Sequence, residues 1–480
     1  MRKYIALSTI FVLGFFSSCD KTLEELNVNP NDPLDAAGEQ LLLGTQIANI
    51  SINVSHLQRI SGMWSGQYEG TTLLYQSLHQ YNMSSEEAND TWSTIYQGVV
   101  KQSRILQEKL PGSTPKEALQ RAIAKIMEAY AVGTAAEIFG DVPYREASNP
   151  DIANPVFDPQ AQVFSDLQTL LTNAINELAT VTTAQTLKGD MFYNQGSSGA
   201  TVTAKWVEAA HTLKARYFMD VKDYSSAYAE ALLGISTFNN TMMFRPPTVS
   251  ADVVQNGNAN LLWTFVRERS GYMRSTSTFM AGMLGTTAST TRRNAKTNED
   301  ARSKYLAFSG TGNPSTGVAA RTTPMKLVSF EENTLILAEA GARTVSAATG
   351  LGHLNTLRAY LQAGNSFTKV SAADVLLYSP YVLSDFDPAG IENFDGSLTQ
   401  DRALLREIIE ERYVSGVGTF MPFNDARRLR KSDTDVDVNF PLNFGTTYPE
   451  RMVSSQREFN ANSSAPPTIP GVFEVTPVNK

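Results

Sequence analysis

The stretch AKWVEAAHTLKARYFMDVKDYSSAYAEALLGI, residues 204–235, decides the fold class. On each side of a polar Lys-Asp-Tyr turn, its apolar residues recur at the three- and four-residue spacing of a helix. The residues spaced for one face are Trp206, Ala210 and Leu213 before the turn, and Ala227, Ala231 and Leu232 after it. Two antiparallel helices joined by a short turn resemble a tetratricopeptide unit. The stretch therefore predicts a mostly α-helical protein built from such hairpins.

The same helical period recurs along the rest of the chain. Further predicted helices span 159–179, 203–221, 224–235, 329–345, 351–363 and 398–412. Another begins at Pro115, a residue that the first turn of a helix tolerates, and stops at Gly140. The helical pairs are irregularly spaced and separated by long polar loops, so a regular repeat array is not predicted. Since no Pro/Gly/Ser linker separates two cores, we predict one large domain over residues 36–480 with loop-rich insertions.

The N-terminus has the order of a secretory signal. A short basic region precedes an apolar run over residues 4–16, which is too short to cross a bilayer as a helix. We predict a signal peptide over residues 1–18. The sequence FSSC, which ends at Cys19, is similar to a bacterial lipobox. Because a lone thiol in an exported protein has no partner for a disulfide within its chain, we predict that Cys19 is lipidated and that residues 19–35 form a stalk. An idle cysteine is the alternative.

Composition and motifs exclude several classes of protein. The 480 residues carry a formal net charge of −8, which argues against a nucleic-acid partner and against a basic patch for anionic lipid. The four histidines are scattered, and zinc, P-loop and nucleophile-elbow motifs are absent from the sequence. The acidic stretch at 433–437 lacks the glycine and the last acid of a calcium loop. We predict no catalytic residue, no metal site and no cofactor, and a protein that is not an enzyme.

Two stretches carry candidate ligand-binding residues. Flat aromatic rings suit the C–H faces of sugars, and planar polar groups suit their hydroxyls. The stretch SGMWSGQYEGTTLLYQ (61–76) sets Trp64 between glycines on a predicted loop, and NLLWTFVRERSGYM (260–273) sets Trp263 in a predicted buried strand or edge. The candidates are Trp64, Gln67, Tyr68 and Tyr75 in the first stretch, and Arg269, Tyr272 and Met273 in the second. Core packing is the alternative for Trp64, since a large aromatic is normally buried.

Four stretches together resemble one family in their order and spacing. YAVGTAAEIFGDVPYREA (130–147) is similar to a helix-end segment of the SusD/RagB-like outer-membrane lipoproteins. NDTWSTIYQGVV (89–100) is similar to their Trp-x-x-x-Tyr helix. REIIEERYVSGVGTFMPFNDARRLRKSD (406–433) is similar to their late Glu-rich helix and Asp-x-x-Arg segment, and YPERMVSSQREFNAN (448–462) to their closing segment. None of these is a catalytic signature.

The resemblance implies a helical lipoprotein on the outer leaflet of a Gram-negative, Bacteroidetes-type outer membrane. It implies a SusC-like TonB-dependent transporter as the partner, over which the lipoprotein closes to pass captured nutrient inward. The implied ligand is an oligosaccharide or sometimes a peptide, bound through loops of the two stretches above, and no covalent chemistry is implied.

Two other functions stay open. A lipid-anchored glycan hydrolase would need two carboxylates about 5–10 Å apart across a cleft. A helical-repeat adaptor that binds only protein would present an apolar groove and no aromatic platform among its loops.

Overall fold

The structure is a computed structural model, and it describes residues 38–193, 199–246, 259–285 and 292–480. The predicted signal peptide, Cys19 and the stalk lie outside the described residues. The helices are α1 (Gly38–Asn53), α2 (His56–Trp64), α3 (Leu73–His79), α4 (Asn89–Ser93), α5 (Lys101–Lys109), α6 (Pro115–Phe139), α7 (Gln160–Ala179), α8 (Gly199–Asp220), α9 (Tyr224–Ala231), α10 (Leu261–Glu268), α11 (Phe279–Leu284), α12 (Asp300–Leu306), α13 (Phe330–Thr344), α14 (Ala347–Gln362), α15 (Gln400–Ser415), α16 (Met421–Leu429) and α17 (Gln456–Ala461). A π-helical segment, Thr94–Val100, joins α4 to α5.

The helical hairpins predicted from the sequence are confirmed. The stretch 204–235 forms α8 and α9, which pack against each other. The turn between them contains Lys222, whose φ is 62°, and Asp223, whose side chain accepts a hydrogen bond from the Ser226 amide at 3.0 Å and so caps α9. Helices α13 and α14 form a second hairpin, and α9 packs on α13, so the two hairpins share one interface.

Helix α6 is the centre of the core. Every residue from 122 to 139 is buried, and the helix ends where predicted, at Gly140 with a φ of 85°. Helix α8 crosses it at Gly133, where an added Cβ would lie 2.1 Å from the Tyr217 hydroxyl oxygen. That hydroxyl donates to the Ala129 carbonyl at 2.9 Å. A glycine at this position therefore lets two helices approach more closely than side chains would allow.

Short strands connect the loops across the helical body. They are β1 (Glu69–Gly70), β2 (Val142–Pro143), β3 (Phe157–Asp158), β4 (Met242–Phe244), β5 (Met273–Arg274), β6 (Arg293–Asn294), β7 (Thr297–Asn298), β8 (Met325–Val328) and β9 (Leu377–Tyr378). The antiparallel pairs are β1–β5, β2–β3 and β4–β8, and β6–β7–β9 form a three-stranded sheet. Among the helices that the structure describes, none is long and apolar enough to cross a membrane.

Helices α13, α15 and α16 meet around the buried carboxylate of Glu339. It accepts from Arg428 at 2.7 and 2.9 Å and from Arg343 at 3.0 Å, and the Arg412 Nε lies 3.3 Å away. Burial alone would raise the pKa of this carboxyl, but the three guanidinium charges outweigh burial and lower the pKa to about 2. We call this set of four residues the Glu339 cluster.

Candidate functional site

The two stretches that carry the predicted ligand-binding residues meet in the structure. Strand β1 pairs antiparallel with β5, with Glu69 opposite Arg274. The Arg274 Nε donates to the Glu69 carboxylate at 2.7 Å, and the Thr71 amide donates to the Tyr272 carbonyl at 2.9 Å. The pairing brings Tyr75 and Tyr272 to a ring distance of 6.4 Å. These two segments are far apart in the sequence, so the fold rather than the local pattern creates this surface.

Tyr75 is the centre of a hydrogen-bonded network at this junction. Its hydroxyl accepts from the Arg59 Nε at 2.9 Å and lies 3.1 Å from His56 Nδ1. The His56 Nε2 lies 2.7 Å from the Glu87 carboxylate. The His56 ring therefore lies between the Tyr75 hydroxyl and the Glu87 carboxylate, with one ring nitrogen next to each. Tyr75 itself is buried, so it holds Arg59 and His56 in place rather than reaching solvent.

Partly exposed rings cover one side of this network. Asn260 caps α10 by accepting from the amides of Leu262 and Trp263, and the helix carries the partly exposed rings of Trp263 and Phe265, of which Phe265 contacts Tyr75. The Arg267 guanidinium lies 4.7 Å from the Trp263 ring, one helical turn away. Tyr272 follows in the next loop and is also half-buried. We call Trp263, Phe265 and Tyr272 the aromatic surface.

A polar groove of about 380 Å³ adjoins this network, because His56, Arg59 and Glu87 line it. It is lined by Ser51, Ser55, His56, Arg59, Glu86, Glu87, Asp90, Thr91 and Thr94. Arg59 belongs to both regions, because its guanidinium also lies 4.3 Å from the Phe265 ring. The Tyr75 and Phe265 rings are 4.6 Å apart. The polar groove and the aromatic surface therefore share one rigid boundary.

The first residue of α3, Leu73, adds a strained position to the site. Leu73 has a φ of 49°, a left-handed conformation that costs a side-chain-bearing residue about 1–2 kcal/mol. It is also 68% exposed, and Leu74 next to it is exposed as well. Both follow Thr71, which is hydrogen-bonded to the backbone of the Tyr272 loop. Backbone strain of this kind clusters at ligand-binding sites.

The structure corrects where most of the predicted residues lie. Trp64 is the last residue of α2 rather than part of a loop, is 1% exposed, and donates its Nε1 proton to the Leu78 carbonyl at 2.8 Å. Gln67 donates to the Tyr413 carbonyl at 2.9 Å, and Tyr68 packs edge-on against Phe308. The buried residues are Trp64, Gln67, Tyr68, Tyr75 and Met273. Arg269 is exposed and Tyr272 is half-buried, so these two alone of the predicted set reach the surface.

The glycines that indicated an open loop have another role. An added Cβ at Gly62 would lie 2.5 Å from the Tyr68 ring, and one at Gly70 would lie 2.0 Å from the Tyr75 carbonyl oxygen. Both glycines thus allow close packing of the residues that follow them. The same Gly-aromatic spacing fits an exposed platform and a tight core equally well, which is why the local pattern misplaced Trp64.

The position of Trp263 also differs from the prediction. Arg59, His56 and Phe265 were not identified from the sequence as residues of the site. Trp263 lies in helix α10 and not in a buried strand or edge. A signal for this helix was available: Asn260 is a good N-cap, and the buried residues Leu262 and Val266 are spaced i, i+4. No comparable local signal marks Arg59 or His56, because their partners come from distant segments.

The site offers stacking surfaces and hydrogen-bonding groups. The polar groove combines carboxylates, hydroxyls, an imidazole and a guanidinium, so it can both donate to and accept from a polyhydroxylated ligand. Across the described ranges, no group of three or more His, Cys, Asp or Glu side chains is placed to hold a metal ion.

Comparisons with known proteins agree with this architecture. A SusD-like family model, described as "Starch-binding associating with outer membrane", matches residues 30–415. A SusD/RagB family protein from Bacteroides thetaiotaomicron superposes with a TM-score of 0.65 at 18% identity, covering 89% of this chain and 95% of that one. A SusD homolog from Bacteroides uniformis gives 0.63 at 17%, with 92% and 99% covered. A chitin-binding SusD homolog from Flavobacterium johnsoniae gives 0.61 at 15%, with the same coverage. No curated protein sequence matches the chain.

Proposed function

The chain belongs to the SusD-like family, and from that premise we propose that it binds a nutrient glycan at the aromatic surface and the polar groove and delivers it to a TonB-dependent transporter. The observation that carries the proposal is the shared boundary of these two regions at Arg59, which contacts Tyr75 on one side and Phe265 on the other. A sugar ring stacked on the aromatic surface would have its hydroxyls next to the polar groups of the groove.

The arrangement suits a neutral polyhydroxylated ligand. Trp263 and Tyr272 are partly exposed rings, and stacking on rings that are already held needs little rearrangement. Arg59 is held by the Tyr75 hydroxyl, which is itself in contact with His56, so the direction of the guanidinium is set before the ligand arrives. Arg269 and Tyr272 lie at the rim of the aromatic surface, where we propose that they contact the ligand.

The alternatives fit the site less well. A protein-binding adaptor calls for an apolar groove, whereas the groove beside Tyr75 is polar along its length. A peptide could use the same rings and polar groups, and remains the second ligand class. A hydrolase would have to cleave the bound oligosaccharide, so the products of a long incubation distinguish it from a binding protein.

Trp263→Ala is expected to weaken glycan binding by at least about tenfold, because it removes the largest partly exposed ring of the site at a cost of about 1.4 kcal/mol or more. Isothermal titration with starch- and chitin-derived oligosaccharides measures this. Phe444→Ala is the matched control, since Phe444 is an exposed aromatic that lines neither the groove nor the aromatic surface. Equal affinities for the two variants would contradict the assignment of the aromatic surface, and cleavage of the ligand would contradict a binding protein.

We also propose that Cys19 anchors the protein in the outer membrane. Mass spectrometry of membrane-extracted protein is expected to show a mature chain that begins at Cys19 and carries fatty acids. Cys19→Ser removes the thiol that is acylated, so residues 1–18 are expected to stay attached to that variant. A mature wild-type chain without acyl groups would be the contrary result.

A further inference from the structure

A second surface cleft lies apart from the aromatic surface. It has a volume of about 600 Å³ and is bounded by α11, by α15, and by loops around residues 394–395 and 435–439. Its lining shares no residue with the polar groove or the aromatic surface. The proposed glycan site does not use it.

One wall of this cleft is apolar. Phe394 is 66% exposed, and Phe279 is half-buried beside the flexible side chain of Met283. An aromatic ring that is two-thirds exposed at the edge of a cleft is available for contact with a ligand. Methionine adapts its shape to different apolar partners.

The lining of the cleft also carries four carboxylates and one guanidinium. The guanidinium, Arg406, is committed to the protein: it donates to the Glu392 carbonyl, and its Nε lies 3.8 Å from Glu410. Asp435 is paired with Arg402 at 2.7 Å. Asp395 accepts from the Ser397 amide and hydroxyl at 3.1 and 2.9 Å. The excess of negative charge favours a cationic ligand.

Among the four carboxylates of the cleft, Asp437 gives the strongest argument for a cationic ligand. It lines the cleft but is only 8% exposed, and among the described residues no cationic group forms an ion pair with it. The nearby Arg430 instead stacks on the Tyr448 ring at 3.8 Å. Burial raises the pKa of Asp437 to about 7, and Asp425 adds to this, while Arg430, Arg428 and the Val438 amide oppose it. A buried carboxylate without a cation is costly, and a bound cation would remove that cost.

We propose that this cleft binds a short basic peptide, with a lysine or arginine side chain directed at Asp437 and an apolar neighbour against Phe279 and Phe394. Charge complementarity and the adjoining apolar wall favour this occupant, because a peptide can carry a cation and an apolar side chain a few ångströms apart. A cation that approaches the Phe394 ring gains further attraction from its face. A neutral oligosaccharide offers no charge for the carboxylates.

The test uses the whole mature protein and the peptide acetyl-Leu-Arg-Leu-amide. Titration is expected to show binding of this peptide and at least about tenfold weaker binding of the same peptide with citrulline, which keeps the shape of arginine but lacks its charge. Asp437→Asn is expected to weaken peptide binding at least about tenfold while leaving the affinity for oligosaccharides unchanged. Asp151→Asn, a change of an exposed acid elsewhere, controls for the loss of one negative charge.

The results that would contradict the peptide proposal can be distinguished from one another. Equal binding of the arginine and citrulline peptides, or no binding of either, would overturn the proposal. Tighter binding of a glucosamine oligomer than of the peptide would assign the cleft to an amino sugar instead. Thermal unfolding of Asp437→Asn separates lost binding from lost folding, since the asparagine removes a buried charge and is expected to leave the melting temperature unchanged or higher. Because Trp263→Ala is expected to keep peptide binding, failure of the glycan proposal would not affect this one.

Discussion

Glu339→Gln is expected to lower the free energy of unfolding by about 3–5 kcal/mol. Glu339 is fully buried and is the shared partner of Arg428, Arg343 and Arg412. Glutamine keeps the size but not the charge, so Arg428 and Arg412 would share only Asp425 as an ionic partner, and Arg343 would keep only Asp433. Urea unfolding followed by circular dichroism measures the change.

Glu268→Gln is the matched control for this variant. Glu268 forms a 3.5 Å ion pair with Arg267, and both side chains are largely exposed, so its loss is expected to cost less than about 1 kcal/mol. Similar losses for both substitutions would show that the Glu339 cluster does not stabilise the fold through its charge.

The Glu339 cluster also sets a pH dependence. The pKa of Glu339 is about 2 in the folded state, below the ordinary value of 4.5. Its contribution to stability is therefore fully present above pH 4.5 and is lost as the pH falls toward 2. Glu339→Gln has no such group, so its own stability is expected to fall less steeply over that interval.

Trp64→Ala is expected to lower the free energy of unfolding by about 3–5 kcal/mol. The indole packs edge-on against Phe423 and Tyr81 at 5.8 and 6.1 Å, and its Nε1 proton satisfies the Leu78 carbonyl. The substitution removes these contacts and leaves a cavity between α2, α3 and α16.

Trp263→Ala provides the comparison, because it truncates a tryptophan on the aromatic surface rather than in the core. It is expected to change stability by less than about 1 kcal/mol while weakening glycan binding. The opposite pattern, with Trp64→Ala stable but unable to bind glycan, would return Trp64 to the binding site.

The sequence predicts the helices well because an amphipathic helix is a local pattern. The hairpin at α8 and α9 and the stop at Gly140 both follow from short-range spacing and turn chemistry. The candidate site is different. The sequence indicated the two stretches that pair through β1 and β5 and carry the aromatic surface, but not the polar groove, whose lining residues lie outside both stretches.

Within those stretches, the local sequence pattern could not distinguish buried side chains from exposed ones. Trp64 and Trp263 are both tryptophans in largely apolar stretches, and only tertiary packing buries one and leaves the other partly exposed. Arg59 shows the same limit, since its role depends on Phe265, which comes from another part of the chain.

The ion pair of Glu69 with Arg274 spans 205 residues of sequence. A nascent or truncated chain that lacks either segment thus has no assembled site and cannot capture ligand before it is complete. By linkage, any ligand held across this junction adds to the stability of the assembled state, by an amount that grows with the logarithm of the ligand concentration once that concentration exceeds Kd. The free energy of unfolding is then expected to be highest where the ligand is most abundant.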